Sequence, residues 1–206
     1  MKGDTTMFFN ISKLKKMFKE AYKTGGLTVA HLEDGEYYIS HAAEVWKIKY
    51  REDFMPKEVK GALIELIGDL PEPDTILTAC EGEDPQYEFA ETYGIIDKDF
   101  DYNPKTVTDY IVTNIANPQA GYIYVAKKDS NEPVKALRDL FTDAISTKNL
   151  EEKEMKPYGP YKISTSPYLI WQNYQCTYII LPHNTQVEAE LKIRKFIGEG
   201  LYQKEE

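Results

Sequence analysis

Apolar and polar positions follow two rhythms along this chain, one of about 3.6 residues and one of two. The clearest helical rhythm runs through SKLKKMFKEAYKTGG, where Leu14, Met17, Phe18, Ala21 and Tyr22 recur at i, i+3, i+4, i+7 and i+8. That spacing makes one apolar stripe. Ser12 is placed to cap its start, and Gly25 and Gly26 to end it. A second helix is predicted over PKEVKGALIELIGDL, with Pro56 in the first turn and Val59, Leu63, Leu66 and Ile67 on one side. PVKALRDLFTDAIS, with Val134, Leu137, Leu140, Phe141 and Ala144 facing inward, and VEAELKIRKFIGEG near the end predict two more. PKTVTDYIVTNI reads as a helix from the spacing of its apolar positions, while its β-branched content leaves a strand as the alternative.

The two-residue rhythm predicts the strands. MFFNI is a short apolar run. LTVAHLED and EYYIS flank Asp34-Gly35, a pairing that favours a hairpin. EVWKIKY sets Val45, Lys47 and Lys49 against Trp46, Ile48 and Tyr50, as in a half-buried strand. TILTAC, QYEFAETYGII, GYIYVAKK and YKIST follow, with EEKEMKPYGP as a solvated loop. In SPYLIWQNYQCTYIILPH the alternation changes phase across Gln172-Asn173, so it divides into PYLIW and QCTYIIL around a turn. Without a regular βαβ alternation the class is α+β: antiparallel sheets with four to five amphipathic helices. The division expected is residues 1–118 and 119–206, with a single domain as the alternative.

Composition narrows the function. Sixteen Tyr against eight Phe suit half-buried sheets and interaction surfaces. The net charge of −9 argues against a surface given over wholly to nucleic acid, but leaves room for one basic face. Two Cys do not make a disulfide scaffold, no apolar run is long enough to span a bilayer, and the first residues lack a signal peptide's apolar region. These features predict a soluble, cytoplasmic protein.

Little here signals catalysis. No phosphate-binding glycine loop or nucleophile elbow is present, and His31, His41 and His183 have no metal-ligand spacing. His31 and His41 are expected at the surface or in turns. Cys176, among Tyr and Ile, reads as core, because burial disfavours a thiolate. The acidic run from Glu81 to Asp101 reads as a solvated loop, with no cofactor or metal expected. An enzyme with an acidic or Cys site, tested at Asp99 or Cys176, is the least favoured reading. Charge on the helices is more informative. Lys13, Lys15, Lys16, Lys19 and Lys23 all project away from the first apolar stripe, and Lys192, Arg194 and Lys195 lie on the last predicted helix.

The order of elements adds a resemblance. MFFNISKLKKMFKEAYKTGG resembles the first strand and helix of a DNA sliding-clamp domain. YKISTSPYLIWQNYQCTYIILPHN is similar to a clamp's closing hairpin, with Pro167, Tyr168, Leu169 and Ile170 in its first strand and Tyr178 to Pro182 in its second. The segment from Val134 to Ile145 stands where the clamp's preceding helix would. The acidic middle matches nothing in that pattern, and the length allows two repeats rather than the three of bacterial clamps. The resemblance implies two clamp-like halves and a non-enzymatic accessory protein. Lys13, Lys16, Lys19, Lys23, Lys192 and Lys195 would then contact duplex DNA phosphates without regard to sequence. The alternative is an α+β interaction or homo-oligomeric module with no nucleic acid, its Tyr-rich sheets forming the interface.

Overall fold

The computed structural model describes residues 9–90, 107–117, 121–129, 133–137, 140, 144, 145, 158–163 and 167–182. These form two helices and eleven strands: α1 (Ile11–Thr24), β1 (Leu27–His31), β2 (Glu36–His41), β3 (Trp46–Arg51), α2 (Lys57–Ile67), β4 (Thr75–Ala79), β5 (Gln86–Phe89), β6 (Val107–Asn117), β7 (Tyr122–Lys127), β8 (Pro133–Leu137), β9 (Tyr158–Ile163), β10 (Leu169–Gln172) and β11 (Cys176–Ile180). All the strands join one antiparallel sheet in the order β5-β4-β1-β2-β3-β11-β10-β9-β6-β7-β8.

This corrects the expected fold. Among the described residues, one sheet with two α-helices stands in place of the four to five helices and two clamp-like halves. Two predicted helices account for part of the difference. The β-branched segment after Pro104 is the long strand β6, paired with β7 and β9. Residues 133–137, read as the start of a helix, form β8, with Tyr122 opposite Leu137 and Ala126 opposite Pro133. Pro133 fits there because it opens a strand at the end of the sheet. Short apolar runs satisfy both periodicities, and the free edge of β7 decides this one. The expected terminal helix, with Lys192 and Lys195, lies outside the described residues, as does most of the run after Leu137.

Several other local expectations have counterparts among the described residues, while part of the MFFNI run and most of QYEFAETYGII lie outside them. α1 buries Leu14, Met17, Phe18 and Ala21. Its cap is Asn10 rather than Ser12: the Asn10 side chain accepts from the Lys13 backbone N–H at 3.3 Å. α2 buries Val59, Ala62, Leu63 and Ile67. The β1–β2 hairpin turns at Asp34-Gly35. Gly35 has φ +80°, and the Asp34 carboxylate accepts the Glu36 backbone N–H at 3.1 Å. In the β10–β11 hairpin, Trp171 pairs with Tyr178, and the Asn173 side chain accepts the backbone N–H groups of Gln175 and Cys176. Side chains on the two strands alternate in opposite phase, which puts Leu169, Trp171, Cys176, Tyr178 and Ile180 together under the helices.

The sheet's second face differs from the expected half-buried surface. It carries its own apolar cluster, including Ala30, Tyr38, Tyr161, Ile170 and Ile179. Lys47 on that face is only 4% exposed. Its ammonium stands 3.3 Å from Glu44 and 4.9 Å from the centre of the Tyr168 ring, and the Tyr168 hydroxyl donates to Glu44 at 2.9 Å. A buried ammonium needs such partners, because desolvation without them is costly. His31 is also buried, against expectation. It stacks on Tyr37 at 4.1 Å and hydrogen-bonds the Pro71 carbonyl through Nδ1 at 3.1 Å.

Candidate functional site

α1 docks across β1 and β2 beside α2, with Phe18 packed on Trp46 at 6.0 Å. Helical geometry then leaves the intervening lysines on the outer surface. Lys13, Lys16, Lys19 and Lys23 are all exposed, and the row spans about 15 Å along the axis. The helix has five lysines and one acid, Glu20. Lys15 and Lys19 both reach Glu65 on α2, at 4.0 and 3.7 Å. Exposed pairs of this kind are worth little and exchange readily for another anion. Among the described residues, Lys16 and Lys23 make no ion pair or hydrogen bond through their ammonium groups. α2 adds no comparable field, because its Lys57 and Lys60 are offset by Glu58 and Glu65. The basic face is thus a property of α1 alone among the described elements.

Beside this row lies a feature that the sequence did not signal. A cleft of 320 Å³ opens between α1 and the turn joining β2 to β3. Lys13, Lys16, Met17 and Glu20 line it from the helix, and His41, Val45 and Trp46 from the turn and strand, with Leu140 contributing from a distant segment. These residues share no motif, so only the packing of α1 on the sheet brings them together.

His41 fastens the end of α1 to the turn beside the cleft. Its Nδ1 accepts the Ala43 backbone N–H at 2.9 Å, which leaves Nε2 facing the Thr24 hydroxyl at 3.4 Å. Thr24 in turn donates to the Glu20 carbonyl at 2.7 Å. Burial lowers the His41 pKa, with Glu20 acting in the opposite direction. The neutral ring therefore ties the end of α1 to the turn.

Among the described residues, the other sites considered in the sequence do not come together. Cys176 is buried opposite Tyr50, and burial raises its thiol pKa well above the usual value. A thiol held neutral in this way is a poor nucleophile. Cys80 is partly exposed, on the loop after β4. Among the described residues no three His, Cys, Asp or Glu side chains gather in a metal-binding group. Glu81, Glu83, Asp84 and Glu88 are exposed around the β4–β5 turn, while His183, Asp97, Asp99 and Asp101 lie outside the described residues. No helix among the described residues is long and apolar enough to cross a membrane. Comparison with known proteins finds no matching family model, no matching curated protein and no matching solved structure.

Proposed function

We propose that this chain is a non-enzymatic, DNA-associated protein that contacts duplex phosphates through the lysine row of α1. The observation that carries the reading is the exposure of Lys13, Lys16, Lys19 and Lys23 along one helix docked on a large sheet, in a chain of net charge −9. Concentrating positive charge on one face of an acidic body directs a polyanion to that face and repels it elsewhere. The resemblance to sliding clamps points the same way, since clamps turn helices toward the duplex. The reading requires neither a ring nor two repeated halves. It predicts phosphate contacts without base recognition, and so binding that is indifferent to sequence.

The test is binding of a short duplex over a range of salt. Three to four phosphate contacts predict that log K falls with log salt at a slope of about −3. In a Lys13/Lys16/Lys23→Glu variant the slope should approach zero, with affinity at low salt down by about a hundredfold. Absence of binding at low salt, or a variant that binds like the parent, would overturn the proposal.

One observation favours the alternative, a protein-interaction or self-association module without nucleic acid. Among the described strands β5 ends the sheet, paired with β4, and it presents Tyr87 at 64% and Phe89 at 81% exposure. An edge strand bearing exposed aromatics is suited to pairing with another chain. Light scattering separates the readings: this one requires a defined oligomer whose mass does not depend on DNA.

A further inference from the structure

The cleft beside α1 has features that phosphate contact does not use. Its floor is apolar, formed by Met17, Val45 and Trp46, and its rim on the α1 side carries Lys13 and Lys16. The volume of 320 Å³ lies at the lower end of the range for small-molecule sites, too small for a folded partner. Lys16 is exposed at the rim and has no anionic partner among the described residues. Lys13 stands one helical turn before it, while Glu20 follows Lys16 by four residues, about 6 Å along the axis. Lys13 and Lys16 therefore lie toward the start of α1 and Glu20 one turn further on, with the apolar floor beside them.

We infer that this cleft binds a small amphipathic anion, with an aromatic or aliphatic body over Met17, Val45 and Trp46 and a carboxylate or phosphate head at Lys16 and Lys13. Charge and shape both select this class. A neutral apolar molecule leaves the lysine rim unused, and a cation meets two ammonium groups against a single carboxylate. The head lies toward the start of α1, because Glu20 repels it from the other end. The inference is independent of DNA binding except that both use Lys13 and Lys16. Lys23, which belongs to the phosphate row, does not line the cleft.

Phenylbutyrate is a suitable probe, with phenylbutanol and phenylbutylamine as neutral and cationic counterparts. The chain's two tryptophans supply an internal control. Trp46 lines the cleft, whereas Trp171 lies two strands away across β3-β11-β10. On titration into the full chain, the Trp46 indole N–H signal should shift and saturate while that of Trp171 stays in place. The dissociation constant for phenylbutyrate is expected at about 2 mM or tighter. Phenylbutanol and phenylbutylamine should bind at least about fivefold more weakly. Lys16→Glu should weaken phenylbutyrate by a similar factor and Lys16→Arg should preserve it. Val45→Phe, which fills the floor without removing a lysine, should abolish phenylbutyrate binding and leave the salt slope for duplex DNA unchanged. No shift at Trp46, equal binding of the three probes, or unaltered binding by Val45→Phe would each overturn the inference. Because Val45→Phe spares the lysine row and Lys23→Glu spares the cleft, failure of this proposal is distinguishable from failure of DNA binding.

Discussion

Replacing Phe18 by Ala is expected to lower the unfolding free energy by about 3–5 kcal/mol. The side chain is fully buried under α1, and its ring rests on Trp46 at 6.0 Å. Trp46 belongs to β3, a central strand held on both sides by β2 and β11. The neighbours that would have to close the space are thus fixed in the sheet. The loss therefore includes both the transfer free energy of the ring and the cost of a cavity that remains open. Urea denaturation of the full chain measures it. A change below about 1 kcal/mol would show that α1 is not anchored on the sheet through this contact. The result bears on both proposals, because the lysine row and the cleft are both positioned by α1. Lys16→Glu and Lys23→Glu, at exposed sites, should stay within about 0.5 kcal/mol of the parent.

The second large effect is expected at Gly159. The residue has φ +125°, a conformation that side chains disfavour. A Cβ added there would collide with the carbonyl oxygen of Ile170 and lie 3.1 Å from the Cα of Trp171. Both atoms belong to the backbone of β10, so neither can rotate aside. The contact occurs where the β9–β10 register shifts, between the pairs Ile170–Tyr161 and Gln172–Tyr158. Backbone strain and the forced separation of two strands together predict that Gly159→Ala costs about 3 kcal/mol or more. Gly61 provides the control. It lies in α2, exposed, and a Cβ added there would meet nothing within 4 Å. Gly61→Ala should stabilise the protein by about 0.5–1 kcal/mol through helix propensity alone. Parallel urea curves for the two variants provide the measurement. Equal changes would mean that β9 does not approach β10 as closely as described.

The contrast between these glycines shows where sequence reading loses its hold. Gly159 stands in EEKEMKPYGP, whose charge and Gly-Pro punctuation predict a solvated loop, yet Tyr158, Gly159 and Pro160 lie within β9. Turn chemistry and a close approach between backbones call for the same residue, and composition does not separate them. The run after Pro133 fails differently. Its apolar positions fit a helix, and β8 forms because β7 offers an unpaired edge. Lys47 illustrates a third limit. Alternation in EVWKIKY separates the two faces of β3 correctly but predicts solvent on the lysine side. What covers a face depends on elements far away in the chain, and here Tyr168 stands over the Lys47 ammonium.

By itself the sequence determined the features whose causes lie within a few residues. These are the apolar stripe and basic face of α1, the second helix, the Asp34-Gly35 hairpin and the phase change that opens the β10–β11 hairpin. Periodicity and turn chemistry act locally, so they can be read from the chain. The tertiary structure alone decided that β3 pairs with β11 and makes one sheet of the strands on either side, that each face carries a buried apolar cluster, and that Lys16, His41 and Trp46 meet around one cleft. The physical reason is that strand edges and apolar faces accept many partners. Only the packing of the whole chain, with its backbone groups paired and its apolar area buried together, selects among them.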